Sequence, residues 1–150
     1  MSHSFTNLLY HLVFSTKHRH PWLDADVRPP LFAYLGGLVR EMRGLPLIVN
    51  GVPDHVHLLV KLKQDRSLAD GVRTLKAKSS AWVHKTFAAR TGFAWQTGYG
   101  AFSVSQSQAE RVRSYIADQE AHHRNRPFCE EFRALLRAHG VEFTEEELWD

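Results

Sequence analysis

The sequence predicts an α+β fold in which an antiparallel sheet is backed by two helices. Apolar residues alternate with a period of two in some segments and recur at helical spacing in others. These segments follow the order β-α-β-β-α-β and then a further helix. The chain has 150 residues, 43% of them hydrophobic, so it can bury one sizeable core but is short for two domains.

The first half of the chain contains three predicted strands and one helix. Residues 8–16 alternate, and residues 26–43 show helical spacing that ends before a Gly and a Pro. Residues 45–49 form the second predicted strand. The turn formers of residues 50–54 ("NGVPD") then reverse the chain into a third strand, residues 55–62.

The second half begins with a helix and continues with a short strand and another helix. Ser67 opens a helix that reaches about Phe87, in the manner of a capping box, and residues 101–105 form the strand. Ser107 begins a second capping box, which predicts one helix over residues 108–123. This order is that of the ferredoxin-like (split βαβ, RRM-like) fold, whose sheet leaves one face free for a site or a partner.

The net charge of +3 hides a difference between two parts of the chain. Residues 129–150 contain two Arg and seven Asp or Glu, a balance of −5, so residues 1–128 carry +8. We therefore predict a basic domain over residues 1–128 and an acidic helical tail over residues 129–150. A basic body suits a polyanionic partner, although a solvated helix face has the same composition. The candidate phosphate contacts are Arg73, Lys76, Lys78 and Lys85.

Cysteine content and hydropathy narrow the class of protein further. Cys129 is the only cysteine, which excludes an intramolecular disulfide and fits a reducing interior. Residues 1–20 lack the basic start of a signal peptide, and we interpret them as leading into the first strand. No apolar run approaches the length of a membrane span, so we expect a soluble protein.

A pair of histidines lies in the third predicted strand. Residues i and i+2 of a strand share a face, so His55 and His57 point to the side opposite the helix-packed core. Imidazoles about 7 Å apart along a strand can close on one metal ion. Two surface histidines with ordinary hydrogen-bond partners would have the same spacing, so the interpretation as a metal site needs further candidate ligands elsewhere in the chain.

The last predicted helix carries polar residues on its apolar stripe. The stripe consists of Val112, Tyr115, Ile116, Gln119 and His123. Tyr115 and Gln119 lie one turn apart and can reach the same point, which suits a phenol nucleophile beside a metal ligand, although a stripe tyrosine is more simply a core filler. Mixed nitrogen and oxygen ligands suit Mg²⁺ or Mn²⁺, and the single thiol excludes a Cys-rich zinc site. His123, two turns from Tyr115, is a candidate base for the phenol.

Two motifs resemble those of a known family. The segments "PDHVHLLV" and "YIADQ" resemble the HUH single-tyrosine transposases, which include small insertion-sequence transposases and the REP-associated tyrosine transposases. "YHLVFSTKHRHPWL" and "WQTGYGAFSVS" are also similar to the family. The resemblance extends from about residue 5 to residue 123, and the motifs occur in order on the elements that the fold requires.

The resemblance implies an enzyme that cleaves and rejoins single-stranded DNA at hairpin-flanked ends. Tyr115 would attack the DNA and leave a 5′-phosphotyrosine and a free 3′-OH. His55, His57 and Gln119 would hold the metal, Mg²⁺ or Mn²⁺. The acidic tail departs from a minimal family member.

The resemblance also implies a partner. Family dimers place the tyrosine helix of one subunit over the histidines of the other, which predicts a homodimer with shared active sites. The Gly-containing loop of residues 92–100 is a candidate for the reach that such sharing needs. A cytoplasmic, nucleoid-associated prokaryotic protein is the expected setting.

Two other functions use the same predicted fold. A non-catalytic single-stranded nucleic-acid-binding protein would resemble RRM domains, but His55 and His57 stand where stacking aromatics would help. A metal phosphoesterase for small substrates would keep the metal and give Tyr115 a structural role. A covalent protein–DNA adduct would distinguish the transposase from both.

Overall fold

The computed structural model describes residues 3–123 and 126–149. Its strands are β1 (Leu8–Ser15), β2 (Leu45–Val52), β3 (His55–Leu62) and β4 (Gly100–Val104). Its α-helices are α1 (Arg28–Glu41), α2 (Leu68–Thr86), α3 (Ala109–Ala117), α4 (Gln119–His123) and α5 (Phe128–Ala138). Short 3-10 turns cover Lys17–Arg19, Ala88–Arg90, Gln106–Gln108 and Glu146–Trp149. Over these described ranges, no helix has both the length and the apolar character that crossing a membrane requires.

The strands form one antiparallel sheet in the order β2-β3-β1-β4. This arrangement confirms the predicted α+β, ferredoxin-like fold. The central strands β1 and β3 pair so that Val13 lies opposite His57 and Ser15 opposite His55. Because directly paired residues share a face, the two histidines lie on the same side of the sheet as Val13 and Ser15.

One face of the sheet packs against α1 and α2. The period-two alternation sends Leu12, Phe14 and Leu58 to this face, where each is fully buried. Helical spacing brings the apolar residues of both helices onto them, among them Leu35 and Leu75. This core lies on the side opposite the histidines, as the sequence predicts.

The second face is covered by the C-terminal half of the chain and is not free, contrary to the expectation for a bare sheet. Phe128, Phe132 and Leu136 of α5 pack against Val13 and Phe102 in a second apolar cluster. Burial of a Phe or Leu side chain stabilises the folded chain by about 1.5–3 kcal/mol, so these contacts fix α5 on the sheet.

The hairpin between β2 and β3 is tighter than predicted. β2 continues to Val52, so Asn50 and Gly51 belong to the strand, and the turn consists of Pro53 and Asp54 alone. A Cβ atom at Gly51 would lie 2.4 Å from the carbonyl oxygen of His55. Glycine at this position is therefore explained by close backbone approach within the hairpin.

The helix starts confirm one capping prediction and correct the other. The backbone N–H of Asp70 donates to the Ser67 hydroxyl, as predicted. Ser107 does not cap a helix; it lies in a 3-10 turn and its hydroxyl contacts that of Ser105 at 3.1 Å. The helix α3 begins at Ala109, where no side chain caps it.

The predicted single helix over residues 108–123 is two helices, α3 and α4, with a break at Asp118. The side chain of Asn50 on β2 donates to the carbonyl oxygens of Ile116 (2.9 Å) and Ala117 (3.3 Å). These bonds satisfy the last carbonyls of α3 and fasten its end to the sheet. A residue from a distant strand therefore decides where this helix ends.

Candidate active site

The histidines of β3 meet a carboxylate from the C-terminal tail. His55 and His57 are fully buried beneath α3, α4 and α5. Their Nε2 atoms lie 3.3 Å and 3.0 Å from Oε1 of Glu131 on α5, which is also buried. Strand parity explains the positions of both imidazoles, whereas the carboxylate arrives through the packing of α5.

The second nitrogen of each imidazole ring is also engaged. Nδ1 of His55 lies 2.7 Å from Oδ1 of Asp54, and Nδ1 of His57 lies 2.8 Å from Nε2 of His11. Hydrogen bonds of this kind fix the orientation of metal-binding imidazoles. They leave the Nε2 atoms of His55 and His57 directed at one point.

The helix α4 brings two further groups to that point. Nε2 of His123 lies 3.1 Å from Oε1 of Glu131 and 3.2 Å from Oε1 of Gln119. The same amide oxygen of Gln119 lies 3.3 Å from Nε2 of His55. One ligand atom from each of His55, His57, His123 and Glu131 lies within 4.8 Å of the others. This set of imidazole nitrogens and a carboxylate oxygen could hold a divalent metal ion.

The two histidines of β3 differ in ionisation, and His57 is the one whose pKa favours metal binding. Burial lowers the pKa of His57 to about 4, so its imidazole is neutral near pH 7, as metal binding requires. Burial also opposes the charged form of His55, but hydrogen bonds with Asp54 and Glu131 outweigh it and raise the pKa. Burial would raise the pKa of Glu131, yet hydrogen bonds from His123, His55 and His57 hold it well below its ordinary value.

Tyr115 of α3 lies beside this cluster. Its phenol donates a hydrogen bond to Oε2 of Glu131, and its ring centroid lies 6.0 Å from that of His57. Burial and the neighbouring Glu131 carboxylate raise the pKa of the phenol above its ordinary value, so Tyr115 is protonated near pH 7. A cavity of about 560 Å³ borders Tyr115 and is also lined by Arg111 and His139. A substrate group in this cavity would lie next to the phenol.

The structure therefore brings five of the predicted site residues together. They are His55, His57, Tyr115, Gln119 and His123. His123, which the sequence suggested as a base, makes its hydrogen bonds to Gln119 and Glu131. Its position is therefore among the candidate metal ligands.

The four candidate phosphate contacts lie elsewhere. They belong to α2, which packs on the opposite face of the sheet. The ammonium group of Lys76 donates to the carbonyl oxygens of residues 96, 97 and 98, at 2.5, 3.1 and 2.9 Å. Arg73 forms an ion pair with Asp70, and Lys78 and Lys85 are exposed. Lys76 thus holds a loop, and among the four it is the least available to DNA.

Sequence reasoning missed three residues of the cluster. His11 has the opposite strand parity to Leu12 and therefore faces the site, which was a usable signal. Asp54 directly precedes His55, a second usable signal. No sequence signal indicated Glu131, because it lies in the acidic tail and only the packing of α5 brings it to β3.

Comparisons with known proteins show the family of the chain. The family described as "Transposase IS200 like" matches residues 4–119 of the chain. The chain belongs to this family. The match covers His55, His57, Tyr115 and Gln119, and it ends before His123 and Glu131.

Two curated transposases are similar in sequence. The ISDra2 transposase TnpA of Deinococcus radiodurans is 30% identical over 118 residues, which cover 75% of this chain and 84% of the relative. The transposase for insertion sequence element IS200 of Salmonella typhimurium is 26% identical over 124 residues, 79% of this chain and 81% of the relative.

Two solved structures share the fold. One, from Deinococcus radiodurans R1 and described as a transposase, has a TM-score of 0.60 at 27% identity and covers 79% of this chain and 95% of its own. The other is a REP-associated tyrosine transposase bound to a REP hairpin. It has a TM-score of 0.59 at 16% identity, over 82% of this chain and 74% of its own.

Proposed function

We propose that this transposase cleaves and rejoins single-stranded DNA through a 5′-phosphotyrosine formed on Tyr115. The observation that supports it most is the convergence of a phenol and a buried histidine cluster on one carboxylate. The hydroxyl of Tyr115 contacts one oxygen of Glu131, while Nε2 of His55 and of His57 face the other. The proposed nucleophile and the proposed metal site thus lie side by side.

His55, His57 and Gln119 are the proposed ligands of Mg²⁺ or Mn²⁺. Bound there, the ion would neutralise charge on the scissile phosphate and orient it. The protein contributes the fixed orientation of the ligands. Asp54 holds the ring of His55, and His11 holds the ring of His57.

The proposed chemistry exchanges one phosphodiester bond for another. The phenolic oxygen of Tyr115 bonds to phosphorus as the bond from phosphorus to the 3′ oxygen breaks, so the energy of the bond is kept in the covalent intermediate. The phenol loses a proton and the leaving 3′ oxygen gains one, which gives a 5′-phosphotyrosine and a free 3′-OH. Attack by a 3′-OH reverses the step and rejoins the strand.

The proposed partners are hairpin-flanked single-stranded DNA and a second copy of the chain. The structural neighbour bound to a REP hairpin supports a hairpin substrate by analogy. The proposed dimer shares its active sites through movement of the tyrosine helix. The loop of residues 92–100 is poorly suited to bring the tyrosine helix to the other subunit. Phe93 and Trp95 are buried, and the Trp95 indole donates a hydrogen bond to Ser79, so the loop is held in place.

The alternative of a non-catalytic single-stranded nucleic-acid binder gains no support from the sheet. RRM-type binding needs an open sheet face with aromatic platforms. Here that face is covered by α3, α4 and α5 and contains His55 and His57.

Single-stranded DNA labelled at its 3′ end tests the proposed function. The label stays with the fragment that a 5′-phosphotyrosine retains, so a denaturing gel reveals the adduct directly. We expect an adduct with the wild type and with the control Tyr99→Phe, whose tyrosine is 37% exposed and outside the cluster. Tyr115→Phe removes only the nucleophilic oxygen and should bind DNA without forming an adduct. An adduct in Tyr115→Phe would show that another residue is the nucleophile.

A further inference from the structure

We propose that Glu131 is a ligand of the metal, so that the acidic tail supplies part of the active site. This inference rests on the metal site proposed for His55 and His57. Glu131 lies beyond residues 4–119, the part of the chain that the family description matches. The ligand is therefore a feature of this chain's own C-terminal segment.

The position of Glu131 is the first argument. One of its carboxylate oxygens lies 3.0–3.3 Å from Nε2 of His57, His123 and His55. The candidate ligand atoms lie within 4.8 Å of one another. Two metal–ligand bonds of about 2.0–2.2 Å allow a separation of up to about 4.4 Å, so small shifts would let these atoms share one ion. The carboxylate oxygen thus lies beside all three imidazole nitrogens, as one member of the candidate ligand set.

Charge is the second argument. Imidazoles bind metal ions in their neutral form and the amide of Gln119 carries no charge, so without a carboxylate a divalent ion in this buried site would keep its full charge away from water, which is costly. Among the acidic side chains of the described residues, 3–123 and 126–149, Glu131 alone is buried. A positive ion at this site and the negative Glu131 carboxylate would attract each other, and this attraction would offset the desolvation cost of burying the two charges.

The anchoring of α5 is the third argument. Phe128, Glu131 and Phe132 follow the i, i+3, i+4 spacing of one helix face, and the two phenylalanines pack on the sheet. A Cβ atom at Gly100 would lie 2.6 Å from Phe132, so β4 is open at the point where α5 docks. The carboxylate is therefore held over the histidines by apolar contacts on both sides. Metal binding and the docking of α5 should consequently be coupled.

Titration of the full-length protein with Mn²⁺, followed by calorimetry, tests the ligand without any cleavage assay. Glu131→Gln keeps the size of the side chain and one acceptor oxygen but removes its charge. Glu130→Gln is the matched control, since Glu130 is the neighbouring residue on α5 and is exposed. We expect a loss of affinity of about tenfold or more in Glu131→Gln and wild-type affinity in Glu130→Gln.

Thermal unfolding with and without Mn²⁺ provides a second measurement. The metal should raise the melting temperature of the wild type and of Glu130→Gln by more than that of Glu131→Gln, because a ligand of the folded state stabilises it. If Glu131→Gln does not fold, Glu131→Asp keeps the charge, shortens the side chain by one methylene and should also weaken Mn²⁺ binding.

The outcomes separate this inference from the proposed function. Equal Mn²⁺ affinity in the wild type and in the Glu131 variants, with loss of affinity in His57→Ala, would overturn the inference and leave the histidine site standing. A wild-type protein that binds no Mn²⁺ would overturn both. Loss of affinity in Glu131→Gln and His57→Ala, but not in Glu130→Gln, supports both.

Discussion

The phenol of Tyr115 donates a hydrogen bond to the carboxylate of Glu131, sixteen residues further along the chain. The proposed nucleophile is thus held by the acidic tail. Before it attacks phosphorus, the Tyr115 oxygen must lose this bond or pass its proton along it. While no ion neutralises it, the negative carboxylate would repel a phosphate group that approaches the phenol. We therefore expect the tail and the DNA to compete electrostatically near this site.

We predict that removing negative charge from the exposed part of the tail tightens DNA binding. Glu142→Gln with Glu146→Gln changes two exposed residues and leaves the apolar contacts of α5 in place. Binding of single-stranded DNA should become a few-fold tighter at low salt, and the gain should shrink at high salt, where charges are screened.

The double variant is a cleaner test than deletion of residues 129–150. Deletion would also remove Phe132 and Leu136 from the second apolar cluster and Glu131 from the histidines. Unchanged or weaker DNA binding by the double variant at low salt would contradict electrostatic competition by the tail.

We predict that cleavage needs Mg²⁺ or Mn²⁺ and both histidines of β3. His55→Ala and His57→Ala each remove a ligand from a site with few of them, so each should abolish adduct formation. His3→Ala, which changes an exposed histidine at the N-terminus, should leave adduct formation intact. Cleavage that persists undiminished in excess chelator would rule out the metal.

We predict that Lys76 stabilises the fold, whereas Lys78 does not. Lys76→Met removes a charged donor from three backbone carbonyls of residues 96–98 and should lower the free energy of unfolding by about 1–3 kcal/mol. Lys78→Met, on the same helix but exposed, should change it by no more than about 0.5 kcal/mol. Urea denaturation measures both values. Equal stability of the two variants would mean that the bonds of Lys76 contribute nothing.

We predict that the active site in the cleaving state is shared between two subunits. Within one chain, Tyr115 lies near its own His57, but its phenol is engaged by Glu131. Mixing His55→Ala with Tyr115→Phe, each inactive alone, should restore cleavage if one subunit lends its tyrosine to the other.

The location of the adduct in that mixture provides the control. The covalent DNA should appear on the His55→Ala chain, which still carries Tyr115. A mixture that stays inactive, although heterodimers have formed, would mean that each chain uses its own tyrosine and histidines.

Much of the fold follows from local patterns that the chain displays residue by residue. Strand alternation placed His55 and His57 on the face opposite Leu58, and helical spacing placed Tyr115 and Gln119 on one stripe. Those patterns hold because neighbouring residues in a strand or helix have a fixed geometry. They were sufficient to predict the sheet, its two backing helices and five of the residues that could form a site.

Some local predictions failed where distant residues intervene. The helix predicted over residues 108–123 breaks at Asp118, because Asn50 of β2 binds the last carbonyls of α3. Ser107 has the sequence of a cap but lies in a 3-10 turn before α3. The position of a helix end depends on which groups hydrogen-bond to its last backbone carbonyls. Here Asn50 of β2 provides those hydrogen bonds.

The order of the elements, the antiparallel sheet and the side of the sheet that carries His55 and His57 can all be predicted from the sequence. The presence of Glu131 beside these histidines depends instead on tertiary packing. No periodicity connects β3 with a residue 74 positions away, and only the burial of Phe128 and Phe132 against the sheet brings α5 there. Long-range apolar packing thus positions the carboxylate of this site, whereas the local geometry of β3 positions its imidazoles.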